Sequence, residues 1–232
     1  MRIAIIPARG GSKRIPKKNI KHFYGKPMIA YSIEAALKSG CFDQVIVSTD
    51  DQEIADIAQQ YGADVPFIRP ADIADDYATT MDVIKHALHW YQNQGEVIDH
   101  ACCIYATAPF VQSKALACGL EALKKGTYDY AFSATSFPFP IQRALKLTPE
   151  GTVEMFMPEH MNTRSQDLEE AYHDAGQFYW GTADAFLTGL PIFSNRSFAV
   201  LLPRNEVQDI DTPEDWKNAE VLFSALQSKD IQ

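Results

Sequence analysis

The 232-residue chain contains no apolar run approaching the roughly 20 residues that span a bilayer. Its N-terminal apolar stretch, Ile3 to Ile6, is shorter than the ~7 residues at the core of a secretion signal. A cytoplasmic protein with no membrane partner is expected. Cysteine is scarce: Cys41, Cys102, Cys103 and Cys118 show no CxxC spacing, which leaves neither a thiol metal site nor a disulfide frame. Cys102 and Cys103 sit in an apolar run, and the four are expected as free thiols packed like small hydrophobes. The chain also lacks GxxxxGK[ST], GxGxxG and GxSxG, so a P-loop, a dinucleotide fingerprint and a serine-hydrolase elbow are all missing. The first acid is Glu34.

What is present is an ordinary globular composition, 46% apolar and 22% charged with 12 Gly and 13 Pro. A single domain over 1–232 is expected, large enough to bury about 70% of its unfolded surface without staples. The net charge of −9 argues against nucleic acid as a partner. Its distribution is uneven: eight of the 21 bases lie between Met1 and Lys26, so a +8 segment opens a body of charge −17. Such a segment is suited to a local anion on a protein that otherwise repels polyanions.

The hydrophobic rhythm alternates between short β-branched runs and helical periods. Strands are expected over Arg2 to Ala8, Gln44 to Ser48, Val65 to Ile68, Ala101 to Tyr105, Tyr130 to Ala134, Gln177 to Gly181 and Phe198 to Leu202. Helices are expected over Met28 to Lys38, Asp51 to Tyr61, Thr79 to Gln92, Ser113 to Lys125 and Pro213 to about Ala225. Alternation of this kind builds a Rossmann-like α/β fold, a mostly parallel sheet with helices on both faces. From Ser136 to Ala175 the rhythm breaks into short pieces rich in Pro, Phe and Met, such as Ala144 to Leu147 and Thr152 to Phe156. This stretch reads as a small inserted sheet or hairpin, and its exposed apolar content suggests packing on a second copy in a homodimer.

Two motifs carry chemistry. Directly after the first strand, Pro7 to Asn19 (PARGGSKRIPKKN) combines a glycine pair with Arg and Lys, as in a phosphate cradle where main-chain N–H groups approach an anion and cations neutralise it. The plainer reading is a solvated basic loop with a structural glycine turn. Near the other end, Asp209 and Asp211 lie two apart on an extended segment and can present two carboxylates to one Mg²⁺. Thr212, Pro213 and Asp215 form a good helix start, so capping alone accounts for Thr212 onward. Elsewhere, Asp50, Asp51 and Glu53 read as a capping box, with a ribose contact as the alternative, Thr79 and Thr80 as capping residues, and His86 and His89 as surface residues lacking a third ligand. Arg69 stands at a strand end, where ligands of open parallel sheets bind. Arg164 could clamp a carboxylate or pair with a nearby acid.

IPARGGSKRIPKKN at 6–19 resembles the N-terminal signature of the CMP-sialic acid synthetase, or acylneuraminate cytidylyltransferase, family. The similarity continues through VIVSTDD at 45–51, RPAD at 69–72, ATTMDV at 78–83, TRSQDL at 163–168 and DIDTPED at 209–215. The resemblance implies the nucleotide-diphospho-sugar transferase type of fold. It also implies transfer of CMP from CTP to the anomeric hydroxyl of a nonulosonic acid, with release of pyrophosphate and with Mg²⁺ as cofactor. On it, Ala8, Arg9, Gly10, Gly11, Ser12, Lys18, Asn19, Arg69 and Thr80 bind the nucleotide. Arg9 and Lys18 act on the reacting phosphate, Asp209 and Asp211 hold the metal, and Asp211, a carboxylate near that metal, is the candidate general base. The chain departs from the sialic acid pattern at Tyr105 to Phe110 (YATAPF) and at Ala175 to Trp180 (AGQFYW), both similar to the branch that activates pseudaminic acid. Tyr105, Arg164, Gln166 and Gln177 are then expected at the sugar. Phe110, Phe137, Phe139, Phe178, Tyr179 and Trp180 are either an apolar pocket lining or simply core. A neuraminic or legionaminic acid synthetase and a noncatalytic nucleotide-binding module stay open.

Overall fold

A computed structural model describes residues 1–75 and 77–229. In chain order it forms β1 (Arg2–Pro7), β2 (His22–Phe23), β3 (Lys26–Pro27), α1 (Met28–Ser39), β4 (Gln44–Ser48) and α2 (Gln52–Gln60). There follow α3 (Thr80–Asn93), β5 (His100–Ile104), α4 (Ser113–Lys124), β6 (Tyr130–Ser136), β7 (Leu145–Leu147) and β8 (Val153–Met155). The chain closes with β9 (Tyr172–Thr182), α5 (Ala183–Thr188), β10 (Ser197–Leu201) and α6 (Pro213–Lys229).

Six strands form one sheet in the order β10-β6-β9-β5-β1-β4. β1 runs parallel to β4 and β5, and β10 parallel to β6, while β9 is antiparallel to both its neighbours. The period of two along each strand sorts the core into two layers. Ala4 and Ile6 of β1 pack with Cys102 and Ile104 against α1, α2 and α4 on one face. Ile3 and Ile5 pack with Ala101 and Cys103 against α3 and α5 on the other. Helices therefore cover both faces, as expected. No helix among the described residues is long and apolar enough to cross a membrane.

Three local expectations are corrected. Val65 to Ile68 forms no strand; only isolated bridges, Ile46↔Asp64 and Thr49↔Ile68, flank it, because Pro66 offers no N–H to a ladder. Cys118 is exposed on α4, its helical phase turning it from the core, whereas the other three cysteines are buried. β9 begins at Tyr172, opposite Ser136, so the last residues of the expected insertion belong to the sheet. Between these two strands the chain makes an arm carrying the β7–β8 hairpin, in register Leu145↔Met155 and Leu147↔Val153.

A third apolar cluster matters most for function. Ile15 of the basic loop, Phe110, Ile210, and Trp216, Ala219 and Phe223 of α6 are buried together around Phe23 and Met28. Ile15 and Ile210 are 3% and 1% exposed. Two segments almost two hundred residues apart are thereby pinned side by side.

Candidate active site

Strand order reverses at β1, which has β4 on one side and β5 on the other, and ligands of open α/β sheets bind outside the carboxyl ends of strands at such a point. A cavity of about 350 Å³ opens there, walled by Pro7 at the end of β1 and by Tyr105, Ala106 and Thr107 after β5. Of the expected nucleotide and phosphate residues it gathers Arg9, Ser12, Lys18, Asn19, Arg69 and Thr80, together with Asp211 from the far end of the chain. Of the expected sugar residues it gathers Tyr105. Lys13, Arg14, Asp75, Thr107 and Val83 also line it and were not singled out from sequence. Lys13 and Arg14 were legible as part of the basic run, and Thr107 as part of the YATAPF segment.

The basic loop is held by its own polar groups. Asn19, 7% exposed, donates from Nδ2 to the Arg9 carbonyl at 2.9 Å, and Arg9 Nη1 donates to the Asp75 carbonyl at 3.0 Å. The backbone N–H of Ala8 goes to Ser48 O, that of Gly10 to Asp50 Oδ1, and that of Ser12 to Gly10 O. A Cβ at Gly10 would lie 2.8 Å from Asp51 Oδ2, so the glycine is needed to let the two loops meet. Ala8, Gly10 and Gly11 shape the loop and are not among the residues lining the cavity, where side-chain cations face the space.

Lys18 Nζ donates to the Ile210 carbonyl at 2.8 Å and to Asp211 Oδ1 at 3.2 Å. Arg14 Nη2 meets Asp211 Oδ2 at 3.0 Å. Arg69, 5% exposed, donates from Nε to Ser48 Oγ at 3.1 Å and from Nη2 to Ser48 O. Burial lowers its pKa, with Asp50 acting the other way. A buried guanidinium with neutral partners at a cavity wall is poised for an anion. The two threonines divide their work: Thr79 caps α3 in a capping box with Asp82, and Thr80 faces the cavity.

Asp209 stands beside Asp211 but outside the lining. Partial desolvation first, and the Asp211 carboxylate second, raise its pKa, while Lys18 lowers it. Two mutually unfavourable carboxylates are a donor set that a hard divalent cation relieves, and Mg²⁺ needs only one or two carboxylates when phosphate oxygens complete its shell. Among the described residues no group of three or more His, Cys, Asp or Glu could hold a metal by itself. The residues thus fit Mg²⁺ arriving with a phosphate ligand. Thr212 and Asp215 perform the expected capping, Asp215 Oδ2 accepting from Thr212 N at 2.7 Å and from Asp211 N at 3.1 Å.

Three expected sugar residues are not at this cavity. Arg164 and Gln166 lie on the arm, where Arg164 Nε pairs with Asp167 at 3.1 Å. Gln177 is buried in β9 next to Tyr105, its amide donating to Glu206 O at 2.6 Å while its Oε1 has no partner. Phe110, Phe178, Tyr179 and Trp180 are core, and Phe137 and Phe139 line a separate groove on the arm.

Known proteins resemble this chain along nearly its whole length. Residues 3–220 match the sequence pattern of the cytidylyltransferase family. The chain is 49% identical over 95% of both chains to the pseudaminic acid cytidylyltransferase of Campylobacter jejuni. It is 34% identical over 97% of both to the CMP-N,N'-diacetyllegionaminic acid synthase of Legionella pneumophila. The solved structure of a CMP:2-keto-3-deoxy-manno-octonic acid synthetase complexed with CTP shares the fold at a TM-score of 0.69, with 18% identity over 97% of this chain and 98% of that one. With the family pattern matched over residues 3–220 and 49% identity across nearly the whole of a curated member, the chain belongs to the cytidylyltransferase family.

Proposed function

We propose that this protein transfers CMP from CTP to the anomeric hydroxyl of pseudaminic acid and releases pyrophosphate. The observation that carries the reading is the meeting of Arg9, Lys13, Arg14, Lys18 and Arg69 with Asp211 around one cavity. Phosphoryl transfer asks a protein mainly to position the reactants and to neutralise charge on the phosphoryl oxygens. Arg9 and Lys18 do so at the triphosphate, and Ser12, Asn19, Arg69 and Thr80 orient the nucleotide. Asp209 and Asp211 would hold Mg²⁺, which when bound supplies further positive charge at the phosphates. Binding of the triphosphate would give Lys18 and Arg14 new anionic partners and free Asp211 for the cation. Pseudaminic acid is favoured by the 49% identity to the Campylobacter enzyme and by the YATAPF and AGQFYW segments.

The arm carries Phe139, Leu147, Val153, Phe156 and Met161 exposed on its surface. A second copy of the chain is the occupant proposed for this face. In such a homodimer Arg164 and Gln166, which do not reach the cavity of their own chain, can approach the sugar acid in the partner's cavity. Incubation with CTP, Mg²⁺ and a panel of nonulosonic acids, reading pyrophosphate, tests the assignment. Turnover with pseudaminic acid is expected. Equal turnover of neuraminic or legionaminic acid contradicts the substrate, and nucleotide binding without any turnover would favour a noncatalytic module.

A further inference from the structure

The reaction proposed above needs a group to take the proton of the attacking hydroxyl, and Asp211, the candidate from sequence, has both carboxylate oxygens paired with Lys18 and Arg14. Tyr105 stands at the cavity wall, just beyond β5. β9 runs antiparallel beside β5, and the pairing Cys103↔Tyr179 sets the Tyr179 ring next to that of Tyr105, with centroids 5.5 Å apart. Thr80 lines the same cavity as Tyr105, and both Thr80 and Tyr179 act on the ionisation of the Tyr105 hydroxyl. The Tyr179 hydroxyl in turn donates to Asp174 Oδ2. Five residues apart on a regular strand, Asp174 and Tyr179 would point to opposite faces. Gly176, at φ +63, interrupts the strand, and the pairing of β9 with β6 shifts register there, so both side chains reach one side. Asp174 Oδ1 is fixed by the Gly176 N–H at 2.9 Å.

Two neighbouring tyrosine rings thus lead from the cavity wall to a carboxylate that does not line it. Burial raises the pKa of Tyr105 and of Tyr179, so each keeps its proton at neutral pH and can pass one on only by receiving another. Contacts of this kind are often loose in an empty site and tighten with substrate.

Resting on the function proposed above, we propose that Tyr105, Tyr179 and Asp174 form a relay that removes the proton of the attacking sugar hydroxyl. As the sugar oxygen bonds to the α-phosphorus, the bond from that phosphorus to the departing oxygen breaks and its electron pair leaves with pyrophosphate. The hydroxyl proton passes to the Tyr105 oxygen, the Tyr105 proton to the Tyr179 oxygen, and the Tyr179 proton to Asp174 Oδ2. Tyr105 is the group that touches substrate; Tyr179 and Asp174 are positioning residues that act through it.

The test compares the full-length wild type with Tyr179→Phe and Asp174→Asn, using CTP, Mg²⁺ and pseudaminic acid. Both variants are expected to lose ~100-fold in kcat, with the KM for CTP and the melting temperature unchanged. A proton inventory in mixed H₂O and D₂O is expected to be curved for wild type and linear for Tyr179→Phe. Tyr179→Phe keeps the ring in the core and decides the matter where Asp174→Asn unfolds. Wild-type kcat in a folded Tyr179→Phe, or a loss confined to KM, overturns the relay alone. No turnover by wild type with any nonulosonic acid removes the functional reading, and the relay with it.

Discussion

Lys18 and Asp211 touch across 193 positions of sequence, Nζ to Oδ1 at 3.2 Å, with the same ammonium bound to the neighbouring Ile210 carbonyl at 2.8 Å. This contact joins the cationic loop to the aspartate pair. It stands beside the buried pair Ile15 and Ile210, so the polar geometry depends on apolar packing just behind it.

Ile15→Ala and Ile210→Ala should therefore act on stability and activity together. Truncating a buried Ile costs about 2–5 kcal/mol, and the melting temperature in a thermal scan should fall accordingly. At a temperature where both variants are still folded, turnover should also drop because Lys18 and Asp211 lose their common support. An unchanged melting temperature would show that the third cluster does not hold the two segments.

Asp209→Asn should weaken the response to Mg²⁺ more than it weakens folding. Its carboxyl is partly desolvated and faces Asp211, so the amide removes a ligand without removing a structural partner. The Mg²⁺ concentration for half-maximal pyrophosphate release should rise about tenfold or more. Chelation should stop wild-type turnover reversibly. A Mg²⁺ titration that superimposes on wild type would remove Asp209 from the metal site.

The arm supplies a test of assembly. Phe139→Asp with Leu147→Asp places charge on two of its most exposed apolar side chains. Sedimentation should shift from dimer to monomer while the melting temperature of the monomer stays high, because neither residue supports the core. A wild-type monomer at tens of micromolar would contradict the dimer.

Acid stability should report the Arg2–Asp43 pair. Arg2 donates to Asp43 from its backbone at 2.7 Å and from Nη2 at 2.8 Å, and this pairing lowers the Asp43 pKa to about 2. A carboxyl depressed in the folded state contributes stability above its unfolded pKa near 4, and that contribution is lost as pH falls through about 2. Asp43→Asn should be less stable than wild type at pH 6, by a small margin for so exposed a pair. In urea unfolding the two curves should converge between about pH 4 and pH 2. A gap independent of pH would mean the pair acts by shape alone.

Helices and sheet strands were legible where period and boundary agreed: β1 ends at Pro7, α2 is capped by Asp51, and α6 opens on Thr212 and Pro213. The basic loop and the aspartates were legible because charge and glycine cluster there. The antiparallel direction of β9 was not, since a buried strand reads the same in either sense and only the neighbours across the sheet decide it. Nor could sequence show that the loop amides are already engaged by Asp50, Ser48 and Gly10, which are long-range or turn contacts with no period. Arg164 sits on the arm and Gln177 in the sheet beside Tyr105, and neither is among the residues lining the cavity. The Tyr105, Tyr179 and Asp174 line depends on a register shift at Gly176, which no linear pattern marks.

The most direct test of the central claim is a double-mutant cycle on Lys18 and Asp211, with pyrophosphate release measured for wild type, Lys18→Met, Asp211→Asn and the double variant. Each single change should cost about 3 kcal/mol of transition-state stabilisation, a hundredfold or more in rate. The double variant should be little worse than the weaker single one, because both groups act on one triphosphate. Losses that multiply in full, or wild-type rates in either single variant, would contradict it.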